Sequence, residues 1–236
     1  MDEIISTKNT FSHSIMNEIF EKRNFMKIDL PKVAADLPPR NFYDLVDEED
    51  PTLEMCSITH SVFENEVLHR VRLSNVVVKN CRFNHTDFGR TDFTDVCFEN
   101  CDLSNVNLSK SSIHRVEFKN CKLVGANLTE SSFGNVRFDN SSLNLAAFGN
   151  SKLEKVIFQD VSLKNTDFYD CKLKKVEFQL CNLDGANFEH TSLKGIDISS
   201  STFEKLTVSI DDLNGCKVST NQAVQFATLM GLIIKN

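Results

Sequence analysis

The chain has 236 residues, enough for one large domain or two small ones, and a formal net charge of −7. Hydrophobic residues make up 41% of it, yet no apolar run approaches the ~20 residues of a membrane span. The N-terminus also lacks the apolar core of a signal peptide. We therefore expect a soluble cytoplasmic protein without a membrane partner.

Residues 1–52 form an N-terminal extension that lacks the regular pattern of the residues after it. A short helix is predicted from Thr10 to Phe25, and Pro31 and Pro38-Pro39 interrupt the segment that follows. One interpretation is a partly ordered arm that caps the first coil of the next region, because an open strand edge needs cover. The other interpretation is an arm that binds a partner.

Residues 53–213 carry an apolar residue at every fifth position, from Leu53 to Leu213, without a break of register. The residue two places before each of these is mostly small or β-branched, as in Cys81, Thr86 and Val96. Neither a helix nor a plain strand has a period of five. Residues two apart in an extended chain point to the same side, so two of every five residues face inward. This pattern predicts a repeat architecture in which each unit is buried by its neighbours.

A second period of twenty residues is superposed on the first. One of its columns is Phe98, Phe118, Phe138, Phe158 and Phe178. Like residues stack in this way when successive coils are in register, so each coil has four five-residue sides. The result is an all-β solenoid of square cross-section with about eight coils. We name its sides A, B, C and D after their first apolar centres, which are Leu53, Ile58, Phe63 and Leu68, and the centres that follow each at intervals of twenty.

Residues 214–236 again break the pattern and form a C-terminal module. Ser219 or Thr220 is predicted to cap a helix from about Asn221, with Gly231 as its stop. Residues 232–234 follow as a short apolar strand. Because one helix face suffices to close the rod, the remaining apolar surface indicates a partner.

Two triplets carry a family resemblance. Ala126-Asn127-Leu128 and Ala186-Asn187-Phe188 match the motif A-(D/N)-L-x-x, and residues 53–213 resemble the pentapeptide-repeat family. That resemblance implies a right-handed quadrilateral β-helix. The chain from Asp211 to Leu232 is similar to the C-terminal module of Qnr-type and mycobacterial fluoroquinolone-resistance proteins, which implies a head-to-head homodimer. The unbroken register is like that of the loop-free Gram-positive members. The implied dimer interface contains Phe226, Leu229, Met230, Leu232, Ile233 and Ile234.

The eight cysteines raise the question of disulfides or a metal site. Seven lie at the inward position two before a centre, where other units have Val, Ala, Ser or Thr, and no C-x-x-C occurs. That is the behaviour of a small buried hydrophobe. Cys97 alone lies at an outward position, where it is either a reactive thiol or an ordinary exposed one.

No catalytic constellation is recognisable. The six histidines lack the spacing of metal ligands, and neither a phosphate-binding glycine loop nor a nucleophile motif occurs. The packed inward face is expected to leave no cleft. We predict a protein that is not an enzyme and needs no cofactor or metal.

The family resemblance implies a function, because several members imitate DNA. Such proteins occupy the DNA-binding saddle of the type II topoisomerases gyrase and topoisomerase IV, and they inhibit the enzyme or protect it from quinolones. The chain would then bind a protein and no nucleic acid directly. The alternative is a general interaction scaffold with a non-topoisomerase partner.

The distribution of charge along the rod indicates which surface could imitate DNA. The net charge per length of the repeat is only about a fifth of that of B-DNA. Sides B and D each net −3, side A nets +2 and side C is neutral. The late coils of sides B and D are therefore the predicted binding surface, unless these charges merely solvate the rod. The candidate binding residues are Glu99, Glu117, Asp139, Asp160, Glu177 and Asp197 on side B, with Asp167, Asp170 and Glu189 on side D.

Overall fold

A computed structural model describes residues 26–46, 48–229 and 231–235. Seven parallel strands, each paired with the strand that follows it, form one sheet in chain order. Their bounds are β1 (Thr52–Thr59), β2 (Arg72–Lys79), β3 (Asp92–Glu99), β4 (Ser112–Lys119), β5 (Ser132–Asp139), β6 (Lys152–Gln159) and β7 (Lys172–Gln179). The predicted parallel β-solenoid is confirmed, and every strand covers side A and then side B of its coil.

The twenty-residue period is the register of the sheet. Val76 pairs with Val96 and Phe98 with Phe118, so like residues stack along the rod axis. Six full turns separate β1 from β7, and isolated bridges continue the pairing as far as Asp197 and Lys217. The regular sheet is thus shorter than the predicted eight coils, because residues 192–199 form a turn and a bridge in place of an eighth strand.

The corners of the square are marked by backbone conformation. Every fifth residue from Met55 to Gly195 has a positive φ, which turns the chain by one side. Asparagine is common at these positions, and it tolerates the left-handed region better than other residues with a side chain. The outward residues between centres therefore include one fixed corner residue in each unit.

The apolar centres fill the interior. From Leu53 to Phe203 every one of them is buried except Leu173, which is partly buried. Rings of the Phe98 column stack nearly parallel, with centroids of Phe118 and Phe138 4.9 Å apart. Inward hydroxyls are satisfied by the backbone: the Ser131 Oγ accepts from the Ser111 N–H and donates to the Leu108 carbonyl. The interior therefore holds apolar packing and paired polar groups.

Substitutions at two separate glycines, Gly185 and Gly149, test the corner geometry. Gly185 has φ of +71°, and a Cβ there would lie 2.1 Å from the Oδ1 of Asn165. We expect Gly185→Ala to lower the free energy of unfolding by about 1–2 kcal/mol, because it adds left-handed strain and displaces Asn165. Gly149→Ala is the control, since its Cβ would make only ordinary contacts, the nearest at 3.6 Å, and its φ is not positive. Equal losses in urea titrations of the two variants would contradict this account.

Both ends of the solenoid are covered. A 3₁₀ helix at Phe42–Leu45 buries Phe42 and Leu45 against the first coils, with the Phe42 ring 4.8 Å from that of Phe83. At the other end lies helix α1 (Thr220–Leu229), which agrees with the predicted start near Asn221. The helix predicted from Thr10 to Phe25 lies outside the described residues.

Candidate functional site

The acids of side B differ between the early coils (residues 52–151) and the late coils (residues 152–210). The Glu99 carboxylate forms an ion pair with the Lys79 ammonium, at 2.8 Å. Glu117 and Asp139 both face the Arg137 guanidinium, at 4.0 and 3.8 Å. Lys119 lies in register with Asp139 on the neighbouring strand. Cross-strand pairs of opposite charge stabilise a sheet, and the three bases and three acids neutralise the early part of side B.

The charged outward residues of the late coils of side B are all acids, but Lys217, which pairs in register with Asp197, and the corner residues Lys155 and Lys175 lie beside them. Outward positions of these coils on side B contain Asp160, Glu177 and Asp197 and no Lys or Arg. Burial, and then the neighbouring carboxylate of Asp139, raise the pKa of Asp160. Asp197 accepts from the backbone N–H of Ser199 at 2.9 Å and from its hydroxyl. Negative charge on side B is thus concentrated in its late coils.

Side D has a similar late cluster. Asp167, Asp170 and Glu189 occupy outward positions there, again without Lys or Arg. Asp167 accepts from the side-chain amide of Asn187 at 2.8 Å, which fixes the carboxylate on the next coil. The nine predicted binding residues therefore separate into three neutralised early ones and six late ones on two sides.

Side A, which lies between sides D and B, has the opposite sign in its late coils. Six lysines and one acid, Glu154, occupy its outward positions there. Glu154 is paired with Lys174 at 2.6 Å, and both side chains are more than half exposed. The remaining lysines of this surface are Lys152, Lys155, Lys172, Lys175 and Lys194. The cross-section of the late coils is consequently polarised, with a basic side between two acidic ones.

The N-terminal extension takes a course that the sequence did not predict. Its residues 26–37 run lengthwise along the corner between sides A and B, against the direction in which the coils stack. The N–H groups of Met26, Asp29 and Lys32 donate to Glu177, Asn135 and Asp95, respectively, at 2.9–3.2 Å. Pro39 then bridges to Ser57 on the first coil. We call residues 26–40 the arm.

The spacing of these contacts explains why the arm fits. Successive donors are three residues apart, and their acceptors lie two coils apart. Three extended residues span about 10 Å, and two coils span about 9.6 Å. The repeat of the arm therefore matches that of the coil stack. The first coil is capped both by the 3₁₀ helix and by the end of the arm, because Pro38 and Arg40 exchange backbone hydrogen bonds with Ser57 of β1.

An ion pair under the arm is its most buried anchor. The Arg115 guanidinium contacts both carboxylate oxygens of Asp95, at 2.6 and 2.7 Å, and the Lys32 N–H donates to one of them. The Asp95 side chain is only 9% exposed. The hydrogen bonds from Arg115 hold the pKa of Asp95 below its usual range. This pair joins two coils and the arm.

Helix α1 closes the late end of the rod. Ser219 caps it, with Gln222 completing the reciprocal bond to the Ser219 N–H at 2.8 Å. The buried Gln222 amide also donates to the carbonyls of Ile198 and Ser201, both at 2.8 Å. A polar residue thus fixes the helix on the last coil, and the capping spacing Ser219–Gln222 was the signal for it in the sequence.

The predicted dimer residues do not all lie on one free surface. Phe226 is buried, with its ring 5.2 Å from that of Phe203, so it closes the rod and is removed from the candidate interface. Leu232, Ile233 and Ile234 are exposed, Ile233 by 89%. They form no strand, which corrects that prediction, because these residues have no strand pairing. The side chains of Leu229 and Met230 lie outside the described residues.

The cysteines are free thiols, and six of the seven at inward positions are buried. Cys216 is half-buried, since it lies beyond the regular coils. Cys97 is half-buried as well, and burial followed by the charge of Glu117 raises its pKa to about 11. A raised pKa disfavours the thiolate, which favours the ordinary thiol over the reactive one, and the side chain is half-buried where the sequence predicted exposure.

The outer surface holds a groove that the sequence did not predict. It has a volume of about 890 Å³ and lies where the arm meets the late coils of sides A and B. Among the described residues, no group of three or more His, Cys, Asp or Glu is placed to hold a metal ion. None of the described helices is long and apolar enough to cross a membrane.

Comparison with known families decides the classification. A model described as pentapeptide repeats (8 copies) matches residues 72–109, and one described as a pentapeptide repeat region matches residues 111–188. The chain belongs to the pentapeptide-repeat family. A comparison of this pentapeptide-repeat protein with curated proteins found no match.

Solved structures with similarity to this pentapeptide-repeat protein include two of other members. HetL, involved in heterocyst differentiation regulation in the cyanobacterium Nostoc, is 15% identical over 72% of this chain and 84% of its own, with a TM-score of 0.46. A trypsin-treated form of QnrB1, a plasmid-mediated fluoroquinolone resistance protein, is 19% identical over 76% of this chain and 100% of its own, with a TM-score of 0.40.

Proposed function

We propose that this pentapeptide-repeat protein is a non-catalytic, cytoplasmic interaction protein that binds a type II topoisomerase through the late coils of sides B and D. The observation that carries this is the distribution of acids. The early acids of side B are ion-paired, whereas the late acids of sides B and D have no Lys or Arg at outward positions of their own sides within residues 152–210, and only Asp197 has a basic residue, Lys217, in register with it. A DNA-binding saddle is lined with positive charge and selects such a surface. Binding there would modulate the action of quinolones on the enzyme.

The mimicry in this proposal is local. Lys79, Lys119 and Arg137 interrupt side B in the early coils, so a continuous acidic stripe does not run along the described rod. The acidic surface consists instead of six late acids on sides B and D, which lie on either side of the basic late surface of side A. A saddle that holds DNA would contact the late end of the rod rather than its whole length.

A charge-neutralising variant tests the binding surface. We expect Asp160→Asn, Asp170→Asn and Glu189→Gln together to weaken binding to purified gyrase or topoisomerase IV by about tenfold or more, measured by biolayer interferometry at fixed salt. The matched control is Glu54→Gln, Asp92→Asn and Glu204→Gln, which removes the same charge from sides A and C. If the two triple variants bind equally well, the late acids are not the contact surface.

The alternative is a scaffold whose partner is not a topoisomerase. The mixed charge of the whole rod favours it, because acidic and basic surfaces together complement an ordinary protein interface. Pull-down from cell extract with the full chain, identified by mass spectrometry, distinguishes the two. A different partner that is lost with the late-acid variant, together with no topoisomerase binding, would support the scaffold.

Homodimerisation through the C-terminal residues completes the proposal. The exposed Leu232, Ile233 and Ile234 follow a helix already fixed on the rod, so their apolar side chains are free to meet a second copy. We expect Ile233→Asp to weaken self-association at least tenfold in analytical ultracentrifugation. Val67→Asp, which changes an exposed valine on the early rod, is the control. A monomeric parent protein would disprove the dimer.

A further inference from the structure

The groove at the late end of the arm gathers lysines from four separate parts of the chain. Lys27 comes from the arm, Lys155 and Lys175 from successive corners, and Lys217 from the bridge to Asp197 that follows the turn at residues 210–215. The groove volume of about 890 Å³ is within the range of small-molecule sites. Four ammonium groups on one concave surface create a local positive potential.

Opposite charges stack on neighbouring coils in the early part of side A, whereas lysines stack on lysines in its late part. In the early coils Arg72 pairs in register with Asp92, and Asp95 binds Arg115. In the late coils Lys152 lies in register with Lys172. Lys155 is followed one coil later by Lys175 in the same corner column. Like charges on neighbouring strands destabilise a sheet, and such local conflicts are expected at functional sites.

The carboxylates that line the groove do not cancel its charge. Glu177 accepts from the Met26 N–H and from the Gln179 side-chain amide, and Asp197 accepts from Ser199. Lys155 has a 3.7 Å contact with Asp29 of the arm, which is largely exposed. Lysines therefore outnumber carboxylates at the groove by four to two, or four to three with Asp29 counted, so the net charge of the groove is positive.

We propose that this groove binds a small anion that carries two or more phosphoryl groups. The lysine ammonium is a compact point charge that binds phosphate oxygens, and an anion with two or more phosphoryl groups carries enough charge to contact several of the four lysines at once. Gly195 occupies the next position of the corner column after Lys175, and nothing lies within 4 Å of a Cβ built there. The floor of the groove is consequently open beside the two stacked lysines.

Isothermal titration calorimetry on the full chain tests the site with tripolyphosphate and with orthophosphate. We expect tripolyphosphate to bind at least tenfold more tightly than orthophosphate, with affinity that falls as salt rises. Lys155→Gln with Lys175→Gln should weaken tripolyphosphate binding at least tenfold. Lys164→Gln with Lys205→Gln on side C is the control of equal charge change, and it should change affinity by less than twofold.

The melting temperature and the binding of other ligands give the results that would contradict the proposed site. Without ligand, Lys155→Gln with Lys175→Gln should melt at the same temperature as the parent or higher, because the repulsion between the stacked lysines is removed and the partly exposed Lys155–Asp29 pair that is also lost contributes little. No tripolyphosphate binding by the parent, or equal binding by both double variants, would overturn the site. Tighter binding of a polyglutamate peptide or of a single-stranded oligonucleotide would overturn its assignment to phosphoryl compounds. None of these readouts depends on a topoisomerase.

Discussion

Leu143→Ala is expected to lower the free energy of unfolding by about 2–5 kcal/mol, measured by urea titration. Leu143 is fully buried at an apolar centre of side C. A solenoid has one narrow interior, and each centre packs on those of the coils before and after it. The cavity left by the shortened side chain therefore lies in the middle of the stack, where the backbone ladders of two neighbouring coils limit collapse.

Leu145→Ala is the matched control for that variant. It makes the same chemical change two residues later, but Leu145 is a corner residue and is 61% exposed. We expect its effect to remain within about 0.5 kcal/mol. Comparable losses in the two variants would contradict the assignment of inward and outward positions.

Asp95→Ala is expected to destabilise the protein by about 2–3 kcal/mol. It leaves the Arg115 guanidinium without its carboxylate and removes the acceptor for the Lys32 N–H of the arm. Loss of one partner from a fully buried pair costs more, but Arg115 is 25% exposed and regains contact with water. Asp92→Ala, which truncates an exposed acid of the same strand, should stay within about 0.5 kcal/mol.

The Asp95 carboxylate also makes the free energy of unfolding depend on pH. Arg115 lowers the pKa of Asp95 in the folded state, and the unfolded value is about 3.9. The stabilisation is therefore fully present above about pH 4 and is lost as the pH falls through the lower pKa of the folded protein. We expect Asp95→Asn to remove this part of the acid dependence in urea titrations between pH 2 and 6. An unchanged profile would show that Asp95 is not the titrating group.

Much of the fold could be predicted from the residues that repeat at every fifth position. The apolar centres and the small residues two places before them predict the solenoid, and the column from Phe98 to Phe178 predicts four sides per coil. The corner residues have no single composition: Leu145 and Gly185 both occupy corners with positive φ. Backbone hydrogen bonds to the next coil stabilise the corner, as the N–H groups of Leu145 and Gly185 donate to the carbonyls of Lys164 and Lys205, so its conformation depends on the coil more than on the residue itself.

The arm and the groove could not be predicted in this way. The arm binds mainly through backbone N–H groups, so residues 26–37 need no distinctive side chains. The groove lysines come from positions as far apart as Lys27 and Lys217, and the latter reaches the groove through its bridge to Asp197, beyond the last regular strand. Phe226 was misplaced because its apolar character fits either a closed rod end or a dimer interface, and its contact with Phe203 decides between them.

Supercoiling and decatenation assays with purified gyrase and topoisomerase IV test whether the protein binds a type II topoisomerase. We expect the parent protein to inhibit supercoiling or decatenation, or to change the quinolone concentration needed for inhibition. The variant with Asp160→Asn, Asp170→Asn and Glu189→Gln should lose that effect while the side A and C control retains it. No effect of the parent protein on either enzyme, with or without quinolone, would contradict the account.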